Sequence, residues 1–209
     1  MSELATRTLS GILMILVALT CLWIGGWAFG LLVIAAALAM ASEWVRLTRN
    51  FSAGMKMFGL PYVLLPAAGL LLMRSVDNGL ALTLWTLAIV WATDIGAYFA
   101  GRSLGGPKLA PAISPAKTWS GLLGGMLSAG LIGALIASRT SLPGPCIWLG
   151  APLAVLAQSG DLFESWLKRR AGVKDSGRIL PGHGGALDRL DGVVPVASVM
   201  GLLLWSHLL

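Results

Sequence analysis

The sequence predicts an all-α fold, a polytopic integral membrane helix bundle with about seven transmembrane helices of ~20 residues each. Three observations support this prediction. First, 56% of the residues are hydrophobic and only 11% are charged, whereas soluble domains carry roughly 25% charged residues. Second, long apolar runs recur along the chain. Third, the Lys and Arg residues concentrate in alternate connecting segments, which excludes an ordinary soluble domain.

The apolar runs give the predicted helices in chain order. They cover residues 6–24, 27–45, 57–73, 79–100, 119–138, 146–167 and 192–208. Gly25 and Gly26 stand between the first two runs and predict a tight hairpin there. No long polar linker divides the chain, so a single membrane domain is expected. Within this domain, residues 1–90 form an apolar N-terminal part. Residues 91–191 carry nearly all the candidate catalytic and binding residues, and residues 192–209 form the last span.

The basic residues predict the orientation, because positive charges favour the cytoplasmic ends of spans. With the N-terminus inside, all 15 Lys and Arg residues except Arg74 and Arg139 fall in cytoplasmic segments. The same bias accounts for most of the net charge of +6. Attraction to anionic lipid or to a phosphate-bearing substrate also remains open. The prediction is an N-terminus in the cytoplasm and a C-terminus outside.

Asp94 lies inside the fourth apolar run. A charged side chain near the bilayer centre costs ~2.5–3.5 kcal/mol on insertion scales, so a partner or a polar cavity is expected. On a helix, Asp94, Tyr98 and Arg102 share one face, so Asp94 and Tyr98 are predicted to line such a cavity. The alternative is that Asp94 only pairs with a basic neighbour such as Arg102 or Lys117.

The glycine- and proline-rich segment 105–115 predicts a cytoplasmic loop, because these residues oppose a regular helix. Lys108 and Lys117 are compact cations that bind phosphate as point charges. Ser114 and Thr118 are candidate hydrogen-bond donors, and Thr118 or a neighbouring serine is a candidate N-cap for the next helix. The alternative is a cationic loop that only fixes the topology.

One helical face is predicted to carry two carboxylates, a hydroxyl and an ammonium at i, i+3, i+4 and i+7 spacing. These groups belong to Asp161, Glu164, Ser165 and Lys168. A second carboxylate pair, Asp188 and Asp191, follows at i, i+3 spacing. Hard oxygen ligands suit Mg²⁺, and clustered carboxylates can hold two cations about 3.5–4 Å apart. The alternative is an ion-pair network among Asp161, Glu164, Lys168, Asp188 and Arg189.

A glycine-rich turn, PGHGG, lies between the two carboxylate pairs. Gly182, Gly184 and Gly185 allow positive φ or a close approach of the backbone to a ligand. His183 is a candidate contact for a phosphate or a base. A lone histidine in a turn is, however, more often a hydrogen-bonded structural residue.

Residues 165–191 read SWLKRRAGVKDSGRILPGHGGALDRLD and fit S-x-L-K-R-x4-K-D-x-G-x2-L-P-x-H-G-G-x2-D-R-L-D. This pattern resembles the signature of bacterial phosphatidate cytidylyltransferases, also called CDP-diacylglycerol synthases. The resemblance extends upstream to the loop before residue 121 and to Asp94. The family's usual S-P-K-K-T-x-E-G loop differs here at Ala116 and Ser120, and Ala186 replaces a large apolar residue. All carboxylates of the signature are present.

The resemblance implies a reaction in which CTP and phosphatidic acid give CDP-diacylglycerol and pyrophosphate. The lipid phosphate would supply the nucleophile, and Mg²⁺ with lysines would offset the repulsion between two anions. The implied cofactor is Mg²⁺, and a second cation, Mg²⁺ or K⁺, is left open. The implied partners are CTP, phosphatidic acid and the lipid bilayer, without nucleic acid. Apart from the resemblance, the small-residue motif Gly121-x2-Gly124-Gly125 leaves a homodimer open, although such motifs are also common within single bundles. The implied location is the inner (cytoplasmic) membrane, with the active site on the cytoplasmic face.

The resemblance also implies roles for individual residues. The catalytic residues are Asp161, Lys168, Asp188, Arg189 and Asp191. The metal ligands are Asp161, Glu164, Asp175, Asp188 and Asp191. The substrate contacts are Asp94, Tyr98, Lys108, Ser114, Lys117, Thr118, Ser165, Arg169, Lys174, Arg178, His183 and Gly184.

Two other interpretations remain. A CTP-dependent polyprenol kinase, or another lipid cytidylyltransferase, would keep this site and change the acceptor. A cation-coupled transporter is suggested by Asp94 within a span. Transporters often show paired repeats and carboxylates near the midplane, whereas no repeat is visible here and the carboxylates lie at predicted span ends. The sequence therefore favours an enzyme.

Overall fold

The computed structural model describes residues 3–180 and 182–209, with side chains from Thr8 onward. The helices and strands are α1 Glu3–Ile24, α2 Gly26–Leu47, α3 Ala53–Ser75, α4 Gly79–Leu104, β1 Lys108–Ala110, β2 Ser114–Thr118, α5 Trp119–Arg139, α6 Cys146–Arg170, α7 Leu187–Leu190 and α8 Val193–Trp205. Each predicted apolar run coincides with a helix. The prediction of an all-α, polytopic membrane protein is therefore confirmed.

The helices differ in whether they are long enough to cross a membrane. Five of the described helices, α2 to α6, are long and apolar enough. The described apolar parts at the two ends of the chain, Thr8–Ile24 and Val193–Trp205, are shorter. At 1.5 Å per residue, α8 rises only about 20 Å, less than the ~30 Å hydrocarbon core. The count of seven spans and the cytoplasmic N-terminus therefore stay predictions.

The predicted hairpin between α1 and α2 is confirmed. Gly25 and Gly26 both have positive φ, 69° and 49°, and reverse the chain within two residues. Arg74, at the end of α3, donates from Nε to the Leu22 carbonyl (2.9 Å) and from Nη2 to the Trp23 carbonyl (3.3 Å). These are carbonyls of the last turn of α1, which lack helical partners. One arginine thus ties the end of α3 to the end of α1 where the chain forms this hairpin.

Small residues allow α4 and α5 to pack closely. A Cβ atom on Gly124 would collide with Ala100, and one on Gly125 would lie 2.9 Å from the Thr93 carbonyl. Farther along the same interface, the buried Trp85 donates from Nε1 to the Gly133 carbonyl (2.9 Å). The small-residue motif that left a homodimer open is therefore used inside one chain.

The segment predicted as a loop before α5 contains a short antiparallel pair of strands, β1 and β2. Lys108 pairs with Thr118, and Ala110 pairs with Ser114. The prolines and glycines oppose a helix, as predicted, but extended backbone can still form a ladder. Thr118 is the N-cap of α5, since its Oγ1 accepts from the Gly121 amide at 3.1 Å. The hairpin therefore places Lys117 next to the start of α5.

Candidate active site

A buried carboxylate anchors the segment after α6 to α2. Glu43 is 1% exposed and accepts hydrogen bonds from the Ala186 amide (3.0 Å), the Leu187 amide (2.9 Å) and the Ser176 hydroxyl (3.0 Å). Burial of a carboxylate is costly unless it is hydrogen-bonded, and these three donors meet that requirement. Glu43 was not among the site residues predicted from the sequence. The signal that would have found it is a glutamate inside a predicted span.

Glycines allow the segment after α6 to reach Glu43. A Cβ atom on Gly185 would lie 2.5 Å from both carboxylate oxygens of Glu43, and one on Gly177 would collide with Oε1. Gly182 and Gly184 have positive φ, 74° and 85°, as the PGHGG turn predicts. Two of these glycines therefore provide space, and the other two provide backbone conformation.

Asp188 accepts hydrogen bonds on both carboxylate oxygens. Oδ1 lies 2.6 Å from Lys168 Nζ, while Oδ2 accepts from the Gly185 amide (2.8 Å) and from the Ser176 amide and hydroxyl (both 2.9 Å). Burial alone would raise the pKa of Asp188, but these hydrogen bonds from Lys168, Gly185 and Ser176 lower it to about 2. The Ser176 hydroxyl lies between Asp188 and Glu43 and has one proton for the two carboxylates.

Lys168 joins the two predicted carboxylate pairs. Its Nζ lies 2.7 Å from Glu164 Oε2 and 2.6 Å from Asp188 Oδ1. Glu164 is 2% exposed, and its Oε1 has no hydrogen-bond partner among the residues whose side chains are described. The ion-pair network that the sequence analysis gave as an alternative is thus present around Lys168.

Asp161 is the next carboxylate on α6 and meets the β hairpin. Lys117 Nζ, from β2, forms an ion pair with Asp161 Oδ2. The Ser165 hydroxyl donates to Asp161 Oδ1 at 3.4 Å, one turn along the same helix. The structure therefore brings Lys117 next to Asp161 and Ser165, which follow it much later in the sequence.

Asp191 lies in a negative environment just before α8. Burial raises the pKa of Asp191, the charges of Asp161 and Asp94 raise it further, and it reaches about 7. The Gly192 amide, which donates to Asp191 Oδ1 at 2.7 Å, and the Lys117 ammonium only partly oppose this rise. Asp94, Asp161 and Asp191 thus lie within electrostatic reach of one another, and Lys117, which forms an ion pair with Asp161, is the cation that acts on this group.

A metal site needs several oxygen, nitrogen or sulfur ligands close together. In residues 3–180 and 182–209, no three His, Cys, Asp or Glu side chains form an arrangement that could hold a metal. The charge balance nevertheless fits a cation, because the three carboxylates around Lys117 are short of positive charge and offer the hard oxygens that Mg²⁺ prefers. The metal ligands therefore stay predictions, and the donor chemistry of Asp161 and Asp191 is compatible with them.

Tyr98 and Asp94 lie on the same face of α4, as their spacing predicts. Tyr98 is 57% exposed, and its hydroxyl accepts from Arg102 Nη1 at 2.6 Å. Asp94 instead lies within electrostatic reach of Lys117 and Asp161. Of the two basic neighbours that the alternative considered, Arg102 contacts Tyr98, whereas Lys117 acts electrostatically on Asp94.

His183 and Arg189 hold the glycine turn in place. Arg189 Nε donates to the His183 carbonyl at 3.0 Å, and His183 Nδ1 lies 3.1 Å from the Ser10 hydroxyl of α1. These contacts fit the structural interpretation of His183. A catalytic role of Arg189 and a substrate contact of His183 or Gly184 remain predictions.

The other predicted substrate contacts lie in different surroundings. Lys108 and Arg169 are exposed, Ser114 is half-buried on β2, and Thr118 is 4% exposed because it caps α5. Lys174, Asp175 and Arg178 line a separate cleft next to the α2–α3 turn. Their contacts with a substrate or a metal remain predictions.

The known proteins that this chain resembles are cytidylyltransferases. A family model described as the cytidylyltransferase family matches residues 49–207. A protein of Brucella suis biovar 1 (strain 1330), named phosphatidate cytidylyltransferase, is 40% identical over 256 aligned positions, covering 97% of this chain and 93% of that protein. Proteins of the same name from Rickettsia bellii (strain RML369-C) and Rickettsia felis (strain ATCC VR-1525 / URRWXCal2) are 39% and 38% identical. They cover 95% and 93% of this chain, and 90% and 89% of their own lengths.

Proposed function

The chain belongs to the cytidylyltransferase family, and we propose that it converts CTP and phosphatidic acid into CDP-diacylglycerol and pyrophosphate. The observation that carries this proposal is the site at one end of the bundle. Two lysines from different segments, Lys117 and Lys168, each form ion pairs with carboxylates of α6. The signature carboxylates Asp188 and Asp191 complete this site.

The reaction needs two anions to approach each other. An oxygen of the lipid phosphate attacks the α-phosphorus of CTP, a new P–O bond forms, and the bond to the β-phosphate breaks. The electron pair of that bond leaves with pyrophosphate, so no side-chain nucleophile is required. Lys117 and Lys168 reduce the repulsion between the substrates and stabilise the charge that develops on the leaving group. Because two carboxylates fix Lys168, its position requires little reorganisation during the reaction.

Asp161, Asp188 and Asp191 would hold Mg²⁺ in this proposal, with Glu164 and Asp175 in supporting roles. Bound there, Mg²⁺ would neutralise phosphate charge during the transfer. A second cation, Mg²⁺ or K⁺, belongs to the same proposal. The expected result is that a chelator abolishes turnover and that added Mg²⁺ or Mn²⁺ restores it. Full activity of the purified chain in excess chelator would contradict this assignment.

The chain is a multi-pass membrane protein. We further propose the inner membrane as its location and the cytoplasm as the side that the site faces. Positive charge supports this orientation, because cytoplasmic segments are enriched in Lys and Arg. Arg74 lies at the end of the bundle opposite the site, where it contacts the α1–α2 hairpin.

A product assay tests the function. Purified full-length chain receives phosphatidic acid and CTP carrying a label on the α-phosphate in one reaction and on the γ-phosphate in another. We expect the α-label in the lipid product and the γ-label in pyrophosphate. A kinase would instead transfer the γ-label to the lipid and release CDP, and that result would reject the proposal in favour of the kinase interpretation.

A further inference from the structure

A cleft of about 660 Å³ lies between the α2–α3 turn and the segment after α6. Its volume is within the range of small-molecule sites, ~300–1,000 Å³. The charged residues of its lining are Arg46, Arg49, Arg170, Lys174, Asp175 and Arg178. The signature carboxylates Asp161, Asp188 and Asp191 do not line it, so it is a hollow separate from the site described above.

The charge of this cleft is unbalanced, with five cations facing one carboxylate. Among the residues whose side chains are described, every ion pair uses Lys117 or Lys168, so none of the five cations has a carboxylate partner there. Like charges gathered in a concave wall repel one another and focus a positive potential. A polyvalent anion seated in the cleft would relieve this repulsion.

Two of the cations are already held in place. The guanidinium carbon of Arg170 lies 5.5 Å from the ring centroids of both Phe51 and Trp166. Arg46 donates to the main-chain carbonyl of Ser176. Stacked and hydrogen-bonded guanidinium groups lose less conformational freedom when a phosphate binds. The cleft therefore has preorganised donors of the type that recognises phosphate in bidentate geometry.

Ser176 connects the cleft with the carboxylate site. Its backbone forms part of the cleft wall, and its carbonyl accepts from Arg46. Its side chain points to Asp188 and Glu43. An anion in the cleft would thus lie against the same short segment that holds Asp188.

We propose that this cleft binds phosphate groups, through Arg46, Arg49 and Arg170 together with Lys174 and Arg178. Arg46 and Arg49 lie outside the signature at residues 165–191, so the family resemblance assigns them no role. The phosphate can come from a soluble polyphosphate, such as the nucleotide tail or pyrophosphate, or from an anionic lipid headgroup. The binding site itself follows from the cleft, and only its link to turnover depends on the proposed function.

Direct binding of labelled inorganic pyrophosphate tests the proposal. The full chain is placed in nanodiscs of phosphatidylcholine, without CTP, phosphatidic acid or divalent cations. Loss of one charge-assisted hydrogen-bond donor predicts about tenfold weaker binding in Arg49→Gln, and the same in Arg170→Gln. Lys56→Gln is the matched control, because Lys56 is exposed near the same turn and does not line the cleft. It should bind pyrophosphate as the unchanged chain does.

Nanodiscs that contain phosphatidylglycerol distinguish the two sources of phosphate. If lipid headgroups occupy the cleft, these discs weaken pyrophosphate binding to the unchanged chain but not further in Arg49→Gln. If soluble phosphates are the ligand, the lipid leaves the affinity unchanged. The proposal is overturned if both arginine variants, with unchanged thermal unfolding, bind pyrophosphate as tightly as Lys56→Gln. No turnover enters this measurement, so a failure of the proposed reaction would be seen separately in the product assay.

Discussion

Asp188 and Asp191 lie close together in the chain, but their pKa values shift in opposite directions. Asp188 accepts from an ammonium, two amides and a hydroxyl, and its pKa is lowered. Asp191 is half-buried near two other carboxylates, and its pKa is raised. Asp188 is therefore stabilised as an anion by the protein itself, whereas Asp191 is not until positive charge arrives.

Asp188→Asn should abolish turnover and leave most of the protein folded. The amide cannot accept from Lys168, Ser176 and Gly185 in the same way, so the position of Lys168 and any metal contact are lost. We expect at least a hundredfold lower rate, in line with the loss of a preorganised electrostatic group. Initial rates and thermal unfolding in detergent measure the two effects. Asp77→Asn, an exposed position near the opposite end of α3, is the matched control, and near-normal activity of Asp188→Asn would contradict its role.

Asp191→Asn should stabilise the chain in chelator at neutral and alkaline pH. The folded pKa of Asp191, about 7, exceeds its unfolded value of ~3.9, so the folded state prefers the protonated form. Its contribution to stability is therefore lost as pH rises from about 4 through 7, and the asparagine removes this loss. Unfolding temperatures measured across that range should fall less in Asp191→Asn. Parallel pH profiles of the two chains would contradict the burial of a charged Asp191.

The sequence already contained these carboxylates but not their partners. The i, i+3 and i+4 spacing correctly placed Asp161, Ser165 and Lys168 on one face of α6, because helical geometry is local. It could not pair Lys117 with Asp161, since that contact depends on how the β hairpin packs on α6. The sequence also could not identify the partners of Glu43. A glutamate in an apolar run implies hydrogen-bond donors nearby but does not show which residues supply them.

Helix α2 is a candidate membrane span that also positions the segment after α6. Its carboxylate Glu43 accepts from the amides of Ala186 and Leu187 and from the Ser176 hydroxyl. This helix thus fixes two points of the segment after α6, one on each side of the PGHGG turn. The position of Asp188 follows from both, because Ser176 donates to it and Leu187 precedes it.

Glu43→Gln should loosen that segment and slow the reaction. The amide keeps one acceptor oxygen but directs an NH₂ group at donors, which costs about 1–3 kcal/mol for a buried unsatisfied group. We expect faster hydrogen exchange in residues 174–188 and a lower kcat with a smaller change in KM for CTP. Ser42→Ala is the control, since the exposed Ser42 donates to the Ala39 carbonyl of its own helix. Unchanged exchange with reduced kcat would mean that Glu43 acts in another way.

Local sequence patterns were sufficient to predict some helices but not the strands. The apolar runs correctly predicted helices α1 to α6 and α8, because hydrophobic composition over ~20 residues is a strong signal. The proline-rich segment before α5 excluded a helix, but a strand ladder depends on pairing that no single residue specifies. The shortness of α8 was not evident either, because the predicted run covered residues 192–208 and the helix covers only Val193–Trp205.

The whole molecule is an antiparallel bundle with chemically different ends. One end carries the α1–α2 hairpin with Arg74 and the hydrogen bond from Asn78 to the Ser141 carbonyl. The other end carries the β hairpin, the carboxylates and the basic cleft. This polarity follows from the distribution of Lys and Arg, which was read directly from the sequence.

Labelling of single cysteines should confirm which end faces the cytoplasm. Cys21 and Cys146, both free thiols, are first replaced by alanine. In intact cells, a membrane-impermeant maleimide should then label Arg139→Cys but not Lys56→Cys. Permeabilised cells should show both labels. The opposite pattern in intact cells would reverse the proposed orientation.

The attachment of the site to α2 has a consequence for how the protein is made. Glu43 bonds to residues that lie 133, 143 and 144 positions later in the chain. A ribosome therefore synthesises this glutamate long before its donors exist, and the four helices α3 to α6 are made between the two events. We infer that the nascent chain stays inactive until its last segment docks, so that an unfinished protein consumes no nucleotide at the membrane.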